Sequence, residues 1–447
     1  MKTRLYSYLK YTGAVLFSFL LLFACSKSEV PREEPVPLEP TENGQLVLIA
    51  SATDIDENEE VTFTVMVDGK PIEADVYVNN EKINNNKHVF AKVGDYEVMA
   101  KKNNYKDSDK AVVEVYKIDI YVSGIQNTTA NDASVTQAML WKNGKLLYEL
   151  TDGTSFAATV GIALHNDDVY VVGTEARGYT RVAKYWKNNT AHILTDGSNS
   201  ATVADIAVDY RGDIYVIGTD SNPHKPVLWR NKVPHTVAAT NDGRYARAIA
   251  CSGNDIYIVG NSSSYANTPS VAMLWENSQE IHLTNGVKAG RALSVTVENE
   301  DVYVLGDEKS KGLNGQGGQE IGRYWKNGEV TLLDEDPTTF IGLVGGDIAV
   351  QDGVVYVCGV WNDGTTTHSV PVVWKNGKRL YKLTEGTSNS AAVAIAVGGK
   401  DVYAAGYESN SKGKPVVKVW KNDKLLYALT EGDRRALPSG IAVKRSK

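Results

Sequence analysis

An internal repeat constrains this chain more than any other feature of its sequence. In each copy a tyrosine in a β-prone run is followed three residues later by a glycine, and a tryptophan follows a polar loop. The tyrosines are Tyr121, Tyr170, Tyr215, Tyr257, Tyr303, Tyr356 and Tyr403; the glycines are Gly124, Gly173, Gly218, Gly260, Gly306, Gly359 and Gly406. The tryptophans are Trp141, Trp186, Trp229, Trp275, Trp325, Trp374 and Trp420, out of 8 in the chain. Composition alone does not produce such a pattern.

Each copy contains four short runs with different turn signals. The first run of each copy resembles Asp301–Gly306. The second run carries the tryptophan and ends in a turn such as Lys326-Asn327-Gly328, in which Asn-Gly supplies the positive φ angles of a two-residue hairpin. The third ends in a Thr-acidic-Gly turn such as Thr195-Asp196-Gly197. The fourth, such as Ala394–Val397, has small residues and is predicted to be innermost. Four strands repeated with a period in the forties are typical of a β-propeller blade.

The two ends of the repeat region predict how the propeller closes. The first copy starts at its Tyr121 run, whereas the last copy is followed by a spare strand at Ile441–Lys444. We therefore expect residues 117–447 to form a seven-bladed β-propeller whose C-terminal strand completes the first blade. The tryptophans are expected to pack between adjacent blades.

The first 24 residues are predicted to be an export signal. Lys2 and Arg4 precede an apolar run from 14 to 23 that is too short for a comfortable membrane span. The segment Leu22-Phe23-Ala24-Cys25 resembles the lipobox of bacterial lipoproteins. That resemblance implies cleavage before Cys25, acylation of Cys25 and attachment to a lipid bilayer. The alternative is an ordinary secretory signal with an incidental cysteine.

Two further segments lie between the signal and the repeats. Residues 25–44 are rich in proline and glutamate and are predicted to be an extended tether. Residues 45–116 contain short alternating strands with turns about every ten residues, which predicts an immunoglobulin-like β-sandwich. An acidic group in this module favours a solvated turn over a calcium site: Asp54, Asp56, Glu57, Glu59 and Glu60. We therefore predict no metal and no cofactor.

Composition limits the classes of partner. The formal net charge of the 447-residue chain is -7, which argues against nucleic acid, because phosphate binding needs a basic surface. Cys251 and Cys358 fall in different repeats and are predicted to be buried free thiols that act as small apolar residues. We expect a monomer.

The connections between strands offer candidate ligand-binding residues. Two loop families are expected to share one face of the ring, one after the glycine-ended strand and one before the innermost strand. The predicted ligand-binding rim consists of Phe156, Asn199, Tyr245, Lys288, Phe340, Trp361, Asn389, Arg434 and Arg435. Trp361 is the tryptophan outside the repeat and is placed in a loop of the first family. Aromatic, amide and cationic side chains together can hold a sugar or an acidic group. The alternative is that these are ordinary loop residues.

Signatures of catalysis are missing from the sequence. The 7 histidines do not fall at a repeated position or at metal-ligand spacing, and no nucleophile elbow is present. We therefore predict no catalytic residues. Asp205, Asp220 and Asp347 are expected to line or approach the channel, and two suitably spaced carboxylates can hydrolyse a glycosidic bond, so an enzyme acting on polysaccharide stays an alternative. The acidic residue before each tyrosine run is interpreted as a turn or cap residue.

Taken together, the lipobox, the Pro/Glu-rich tether, the immunoglobulin-like module and the Tyr-Val-x-Gly and Trp-Lys-Asn-Gly repeats resemble envelope lipoproteins of Bacteroidetes. The resemblance implies a protein anchored in the cell envelope, in the outer membrane, without assigning the leaflet. It also implies a display module, and we predict a binding role in which the loop face captures a glycan, a peptide or a protein. The alternatives are a glycosidase or lyase acting on polysaccharide, and a structural subunit of an outer-membrane complex.

Overall fold

The structure is a computed structural model that describes residues 43–129, 134–221, 224–237, 243–262, 269–309, 320–334, 340–362, 368 and 370–447. The predicted export signal, Cys25 and nearly all of the predicted tether lie outside these residues. Every regular element in the described part of the chain is a β-strand, as the sequence predicts. Among these residues no helix is both long and apolar enough to span a bilayer.

The N-terminal module is made of two sheets around one core. Its strands are β1 (Val47–Ala50), β2 (Asp54–Asp56), β3 (Glu60–Val67), β4 (Lys70–Pro71), β5 (Asp75–Val78), β6 (Glu81–Lys82), β7 (Lys87–Val89), β8 (Gly94–Lys101) and β9 (Ala111–Asn127). One sheet contains β1, β3, β4 and β7, and the other joins β6, β5, β8, β9 and β2. In β3, Val61, Phe63 and Val65 are buried and alternate with exposed residues, which is the period-two pattern of a strand with one face on a core. The assignment of this module to the immunoglobulin-like class stays a prediction.

The repeats form four-stranded sheets, called blades here, with the innermost strand first. Blade 2 contains β12 (Ala157–His165), β13 (Asp168–Arg177), β14 (Thr180–Lys187) and β15 (Thr190–Ile193); blade 3 contains β16 (Ala201–Val208), β17 (Ile214–Ser221), β18 (His224–Arg230) and β19 (Val233–Thr236). Blade 4 contains β20 (Arg244–Ser252), β21 (Asp255–Ser262), β22 (Ala272–Glu276) and β23 (Gln279–His282); blade 5 contains β24 (Gly290–Glu298), β25 (Asp301–Lys309), β26 (Glu320–Lys326) and β27 (Glu329–Leu332). Blade 6 contains β28 (Phe340–Gln351), β29 (Val354–Asn362), β30 (Val370–Lys375) and β31 (Lys378–Lys382); blade 7 contains β32 (Ser390–Gly398), β33 (Asp401–Ser409), β34 (Pro415–Lys421) and β35 (Lys424–Ala428).

Blade 1 is assembled from both ends of the repeat region. Its strands are β36 (Ala436–Ser446), β9, β10 (Thr136–Lys142) and β11 (Lys145–Glu149). The antiparallel pairing of β36 with β9 runs from Ala436 opposite Gln126 to Ser446 opposite Lys117, so the predicted pairing of the C-terminal strand is confirmed. The innermost strands contact one another in a closed circle, in the order β36, β12, β16, β20, β24, β28 and β32. The arrangement is propeller-like.

Hydrophobic clusters between blades hold the ring together. Each cluster combines residues of two consecutive blades and contains one repeat tryptophan, which confirms the predicted packing between blades. Blades 1 and 2 share Trp186, blades 2 and 3 share Trp229, blades 3 and 4 share Trp275, blades 4 and 5 share Trp325, blades 5 and 6 share Trp374, blades 6 and 7 share Trp420, and blades 7 and 1 share Trp141. These indoles are at most 3% exposed. Their burial is the main apolar contribution to the contact between blades.

The module and the ring share one strand. The boundary predicted between residues 116 and 117 falls inside β9, whose first residues pair with β8 and whose later residues pair with β10 and β36. The sequence contains no turn signal at this point, because the chain passes from one core to the next without leaving the extended conformation. The C-terminus adds ion pairs: Arg445 contacts Asp54 and Asp56, and Lys447 contacts Asp95 and Glu114.

The two repeat cysteines are free, as predicted. Cys358 is buried, but Cys251 is only half-buried, so the predicted burial of Cys251 is corrected. Cys251 lies near the end of the inner strand β20, whose last three residues are all half-buried. Burial raises the pKa of Cys251 to about 12 and that of Cys358 well above its usual value, so both are poor nucleophiles.

Candidate functional site

One face of the ring is formed by the hairpins between the first and second and between the third and fourth strands of each blade, such as β12–β13 and β14–β15. We call it the hairpin face, and the repeated residues build its turns. In blade 5, Asn327 has φ 49°, and its Oδ1 accepts a hydrogen bond from the Val302 N–H at 2.8 Å. Its Nδ2 donates to Asp301 at 2.7 Å, and Lys326 lies 2.8 Å from Asp301 and 5.3 Å from the centre of the Tyr303 ring. The same Asn–Asp bond is made by Asn143, Asn188, Asn231, Asn277 and Asn422. The interpretation of the repeated acidic residue as a turn residue is therefore confirmed.

The glycine of each repeat faces a bulge in the innermost strand. At Gly260 an added Cβ would lie 1.8 Å from the Tyr245 carbonyl oxygen, which no side chain tolerates. The pairing register shifts directly beyond this point, between Ala246 and Ala248. Equivalent shifts occur between Thr159/Gly161, Val203/Asp205, Ala292/Ser294, Gly342/Asp347, Ala392/Ala394 and Pro438/Gly440. A bulge redirects the side chains beside it, and here it affects the same level of every inner strand.

The residues at these bulges line a cavity of about 200 Å³ on the axis of the ring. The innermost strands of all seven blades contribute to its wall. Most of the wall is glycine, alanine or an aliphatic side chain, but five polar side chains interrupt it. They are Asp205, Arg247, Ser294, Asp347 and Ser439. The repeats therefore differ from one another in the side chains that they place in the axial cavity.

Asp205 bridges blades 3 and 4. Its Oδ1 accepts a hydrogen bond at 2.8 Å from the N–H of the next residue, Ile206. Its Oδ2 accepts one at 3.0 Å from the Ile249 N–H of blade 4. Gly161 on the preceding blade makes room for this carboxyl, because a Cβ there would lie 2.6 Å from Asp205 Oδ1. Burial raises the pKa of Asp205 to about 7, against the lowering effect of the two N–H donors, and the nearby charge of Asp347 adds to the rise.

Asp347 bridges blades 5, 6 and 7. Its Oδ1 accepts hydrogen bonds from the Ser294 hydroxyl at 2.6 Å and from the Ile348 N–H at 2.8 Å, and its Oδ2 accepts one from the Ile395 N–H at 3.2 Å. Burial raises the pKa of Asp347 as well. Both carboxyl groups thus satisfy backbone N–H groups of neighbouring inner strands. The prediction that Asp205 and Asp347 line the channel is confirmed; the side chain of Asp220 lies outside the described residues.

Arg247 and Ser439 complete the polar lining. Arg247 occupies the bulge of β20, is solvent-exposed although it lines the cavity, and donates from Nε to Asn261 Oδ1 at 3.0 Å. Solvent therefore reaches the cavity. Ser439 occupies the bulge of β36, and its hydroxyl lies 2.9 Å from that of Ser123 and 2.8 Å from that of Thr159. Sequence analysis missed both residues, although aligning the copies at the small-residue strand would have shown an arginine among small or aliphatic residues.

The two loop families share the face opposite the hairpins, called the loop face here. In blade 2, Ala157 at the start of the inner strand lies opposite Glu175, and Arg177 lies opposite Thr180 at the start of β14. The connection before an inner strand and the turn after the glycine-ended strand therefore meet at one end of the blade, as predicted. The N-terminal module contacts the other end, where β36 finishes.

The predicted rim residues are spread along the loop face. Phe156 is half-buried with the Arg181 guanidinium 5.0 Å from its ring centre, Tyr245 is 40% exposed, and Arg434 donates to the Thr128 carbonyl at 3.3 Å. Lys288 is half-buried, and Asn199, Asn389 and Arg435 are exposed. Phe340 starts β28, but its side chain lies outside the described residues. None of the described rim residues lines the axial cavity, so a ligand-binding role for this rim stays a prediction.

The placement of Trp361 is wrong in the sequence analysis. It belongs to β29 rather than to a loop, is 4% exposed, and packs in the cluster between blades 5 and 6. The guanidinium of Arg379 lies 3.9 Å from its ring centre and Lys382 Nζ lies 4.9 Å away. The strand continues beyond its repeat glycine, as the equivalent strands of the other blades do, and the buried indole makes contacts with these cations.

Acidic residues of the N-terminal module meet the ring at the hairpin face. The ligand oxygens of Asp56, Glu59 and Asp401 lie within 4.8 Å of one another. Arg445 donates to Asp56 at 2.8 Å, and Lys421 lies 2.6 Å from Asp401, so nearby cations already offset this charge. The expectation that the module holds no metal stays a prediction.

No protein-family model matches the chain, and no curated protein matches it. Solved structures that align with it include extracellular domains 1-2 of Drosophila Semaphorin 1b, with 10% identity, 62% of this chain and 83% of that chain covered, and a TM-score of 0.36. A thermostable family-43 glycoside hydrolase aligns with 11% identity, coverage of 59% and 93%, and a TM-score of 0.29. The GH43B protein of a Bacteroides ovatus xyloglucan PUL aligns with 10% identity, coverage of 79% and 92%, and a TM-score of 0.28. Similarities this low carry no argument about activity.

Proposed function

We propose that the protein is a non-catalytic binding module that takes its ligand at the axial cavity, from the loop face. The observation that carries this proposal is that the polar residues of the cavity differ in their hydrogen bonding. The two carboxyl groups accept hydrogen bonds from neighbouring strands, whereas Arg247 presents its guanidinium to solvent inside the cavity. A cavity with one available charged group suits recognition.

The same contacts argue against hydrolysis. A glycosidase uses one carboxyl to protonate the leaving group and a second as nucleophile or base, so both must approach the substrate. Here the four carboxyl oxygens of Asp205 and Asp347 all accept hydrogen bonds from Ile206, Ile249, Ile348 and Ile395 or from Ser294. The bonds from Ile249, Ser294 and Ile395 connect the inner strands of different blades. Moving either carboxyl toward a substrate would break them.

The geometry also supports display away from a membrane. The N-terminal module packs at the hairpin face, so the loop face lies on the side of the ring away from this module. Acylation of Cys25, followed by the Pro/Glu-rich tether, would hold the protein in the cell envelope, in the outer membrane, with its loop face directed outward from the bilayer. This part of the proposal rests on the sequence of residues 1–42.

A glycan array probed with the full-length protein in mild detergent tests the proposed function. We expect selective binding and no release of product from the bound glycans. Product release that disappears in both Asp205→Asn and Asp347→Asn would overturn the proposal in favour of a polysaccharide-degrading enzyme. The observation that favours this second candidate is the pKa of Asp205, because about 7 suits a general acid. Recovery of a stoichiometric protein partner, with no glycan bound, would indicate a structural subunit.

A further inference from the structure

The axial cavity contains one basic side chain among the described residues that line it, Arg247. Its Nε bond to Asn261 fixes the plane of the guanidinium. Within the described part of the chain, its two terminal nitrogens have no hydrogen-bond partner. A guanidinium that is oriented by one bond and leaves its other N–H groups in a cavity is well suited to a planar anion such as a carboxylate.

Asp307, the carboxyl whose charge acts on Arg247, is already paired with another arginine. Partial burial lowers the pKa of Arg247 most, the nearby charge of Arg291 lowers it further, and the charge of Asp307 opposes both. Arg291 itself donates to both oxygens of Asp307, at 3.0 and 2.6 Å, and lies 2.8 Å from Glu320. Arg291 thus makes the ion pairs with Asp307 and Glu320, and Arg247 makes none among the described residues. The positive charge of Arg247 remains available to a ligand.

The rest of the lining indicates what else the ligand contains. Hydrogen-bonding side chains come from several directions around the axis, because Asp205, Ser294, Asp347 and Ser439 lie on four different inner strands. Between them lie aliphatic side chains such as Leu293. A sugar ring carries hydroxyl groups around its edge and C–H groups on its faces, so it matches this distribution. A peptide carboxyl terminus concentrates its polar atoms at one end and does not.

The size of the cavity limits the ligand to one ring. Pockets for drug-sized ligands measure about 300 to 1,000 Å³, whereas this cavity measures about 200 Å³. It accommodates a single sugar, with the remainder of a glycan extending onto the loop face. The innermost strands on all sides prevent a longer segment from entering sideways.

We infer that the axial cavity binds the terminal hexuronic-acid residue of a glycan, with the sugar carboxylate on the Arg247 guanidinium; this rests on the proposed binding function. Arg247 sets the preference for an acidic over a neutral sugar. The hydroxyl groups of the ring contact the polar residues of the opposite wall. No covalent step is involved.

Titration calorimetry of the full-length protein in mild detergent tests this inference with three probes. These are methyl glucuronide, methyl glucoside, and N-acetyl-alanine, which has a carboxylate without a sugar. We expect methyl glucuronide to bind about ten-fold more tightly than either of the others, because it combines the sugar ring with a bidentate contact between its carboxylate and the Arg247 guanidinium. Arg247→Gln should lower its affinity to that of the glucoside, and Arg247→Lys should recover only part, since lysine lacks the planar fork.

Lys232→Gln is the matched control, because it removes one positive charge from an exposed hairpin on the other face. It should bind methyl glucuronide like the wild type. Thermal unfolding of each variant checks that the fold is kept. Equal binding of glucoside and glucuronide, unchanged binding by Arg247→Gln, or equal binding of N-acetyl-alanine would each overturn the acidic-sugar assignment. If array glycans bind while methyl glucuronide does not, the inference fails and the proposed function stands; if no glycan binds, the proposed function fails first.

Discussion

The hairpin face and the axial cavity are built from the same repeats, yet only one of them is uniform. At the hairpin face, an asparagine with positive φ follows every repeat tryptophan by two residues, from Asn143 to Asn422. At the level of the bulges, the corresponding residues are Gly161, Asp205, Ala248, Ser294, Asp347, Ala394 and Gly440. Each hairpin is a separate local structure, so the same residue types can form it in every copy. The inner residues share a single space, so they cannot all be alike.

The difference teaches where to look for function in this repeat protein. A feature present in every blade, such as the hydrogen bond from the Val302 N–H to Asn327, is explained by the stability of its own blade. A side chain present in one blade and facing the shared axis, such as Arg247, has no such explanation. Asp205 and Asp347 are intermediate, because each differs from most copies but bridges neighbouring blades.

Removing β36 by ending the chain at Arg435 should have the largest effect on this comparison. Blade 1 would lose its innermost strand and β9 would expose an unpaired edge, so the ring would open at the axis. We expect loss of the cooperative unfolding transition and association into larger species, measured by circular dichroism and size-exclusion chromatography. Deleting Lys447 alone, which removes only exposed ion pairs, should leave the transition in place. A monomeric, cooperatively folded truncation would contradict the closure of the ring.

Trp374→Ala should have the next largest effect, because this indole is fully buried between blades 5 and 6. Truncating it should lower the free energy of unfolding by about 3–5 kcal/mol. Urea denaturation followed by circular dichroism measures the change. Tyr179→Ala is the control, since that ring is fully exposed, and it should change stability by less than about 0.5 kcal/mol. Equal effects of the two substitutions would show that the packing between blades does not hold the ring.

Asp205→Asn tests whether the axial carboxyls are structural. Asparagine has one acceptor oxygen, whereas the Ile206 and Ile249 N–H groups each need one. We therefore expect the free energy of unfolding to fall by about 1–3 kcal/mol. Glu385→Gln, on an exposed turn of the loop face, should change stability by less than about 0.5 kcal/mol. A variant as stable as the wild type would show that the bridge between blades 3 and 4 contributes nothing.

The same carboxyl predicts a dependence of stability on pH. The pKa of Asp205 is about 7 in the folded state, and an unfolded aspartate titrates near about 4. The folded state therefore binds more protons between these values, and its stability should fall as pH rises from about 4 to about 7. Asp347, whose pKa is raised as well, acts in the same direction. Denaturation curves of the wild type and of Asp205→Asn over this range should show a smaller decrease for the variant.

Asn327→Ala should have the smallest effect, confined to one hairpin. It removes the hydrogen bond from the Val302 N–H and places a Cβ residue without a polar side chain at φ 49°. We expect a cost of about 1–2 kcal/mol with no change in glycan binding. Asn389→Ala, at an exposed position, serves as the stability control. A change in binding by Asn327→Ala would mean that the two faces are not independent.

The fold was largely predictable because its signals are local. The tryptophan, the glycine and the hairpin asparagine recur at fixed spacing, and each has the same role in every blade: packing between sheets, facing the bulge, or turning a hairpin. The shared strand β9 and the burial of Trp361 were not predictable, because both depend on partners distant in the sequence. The candidate site was predicted in part, since Asp205 and Asp347 were placed at the channel and Arg247 was missed.

The sequence by itself determined that the chain forms repeated four-stranded sheets, because hydrophobic periodicity and turn residues act over a few positions. The missing strand of the first repeat and the spare strand after the last one also predicted that these two ends pair. Only the tertiary structure decided which side chains meet at the axis. Residues as far apart as Gly161 and Ser439 line one cavity there. The register shift at each bulge selects which side chain turns inward, and that choice depends on strands that pair only after the chain has folded.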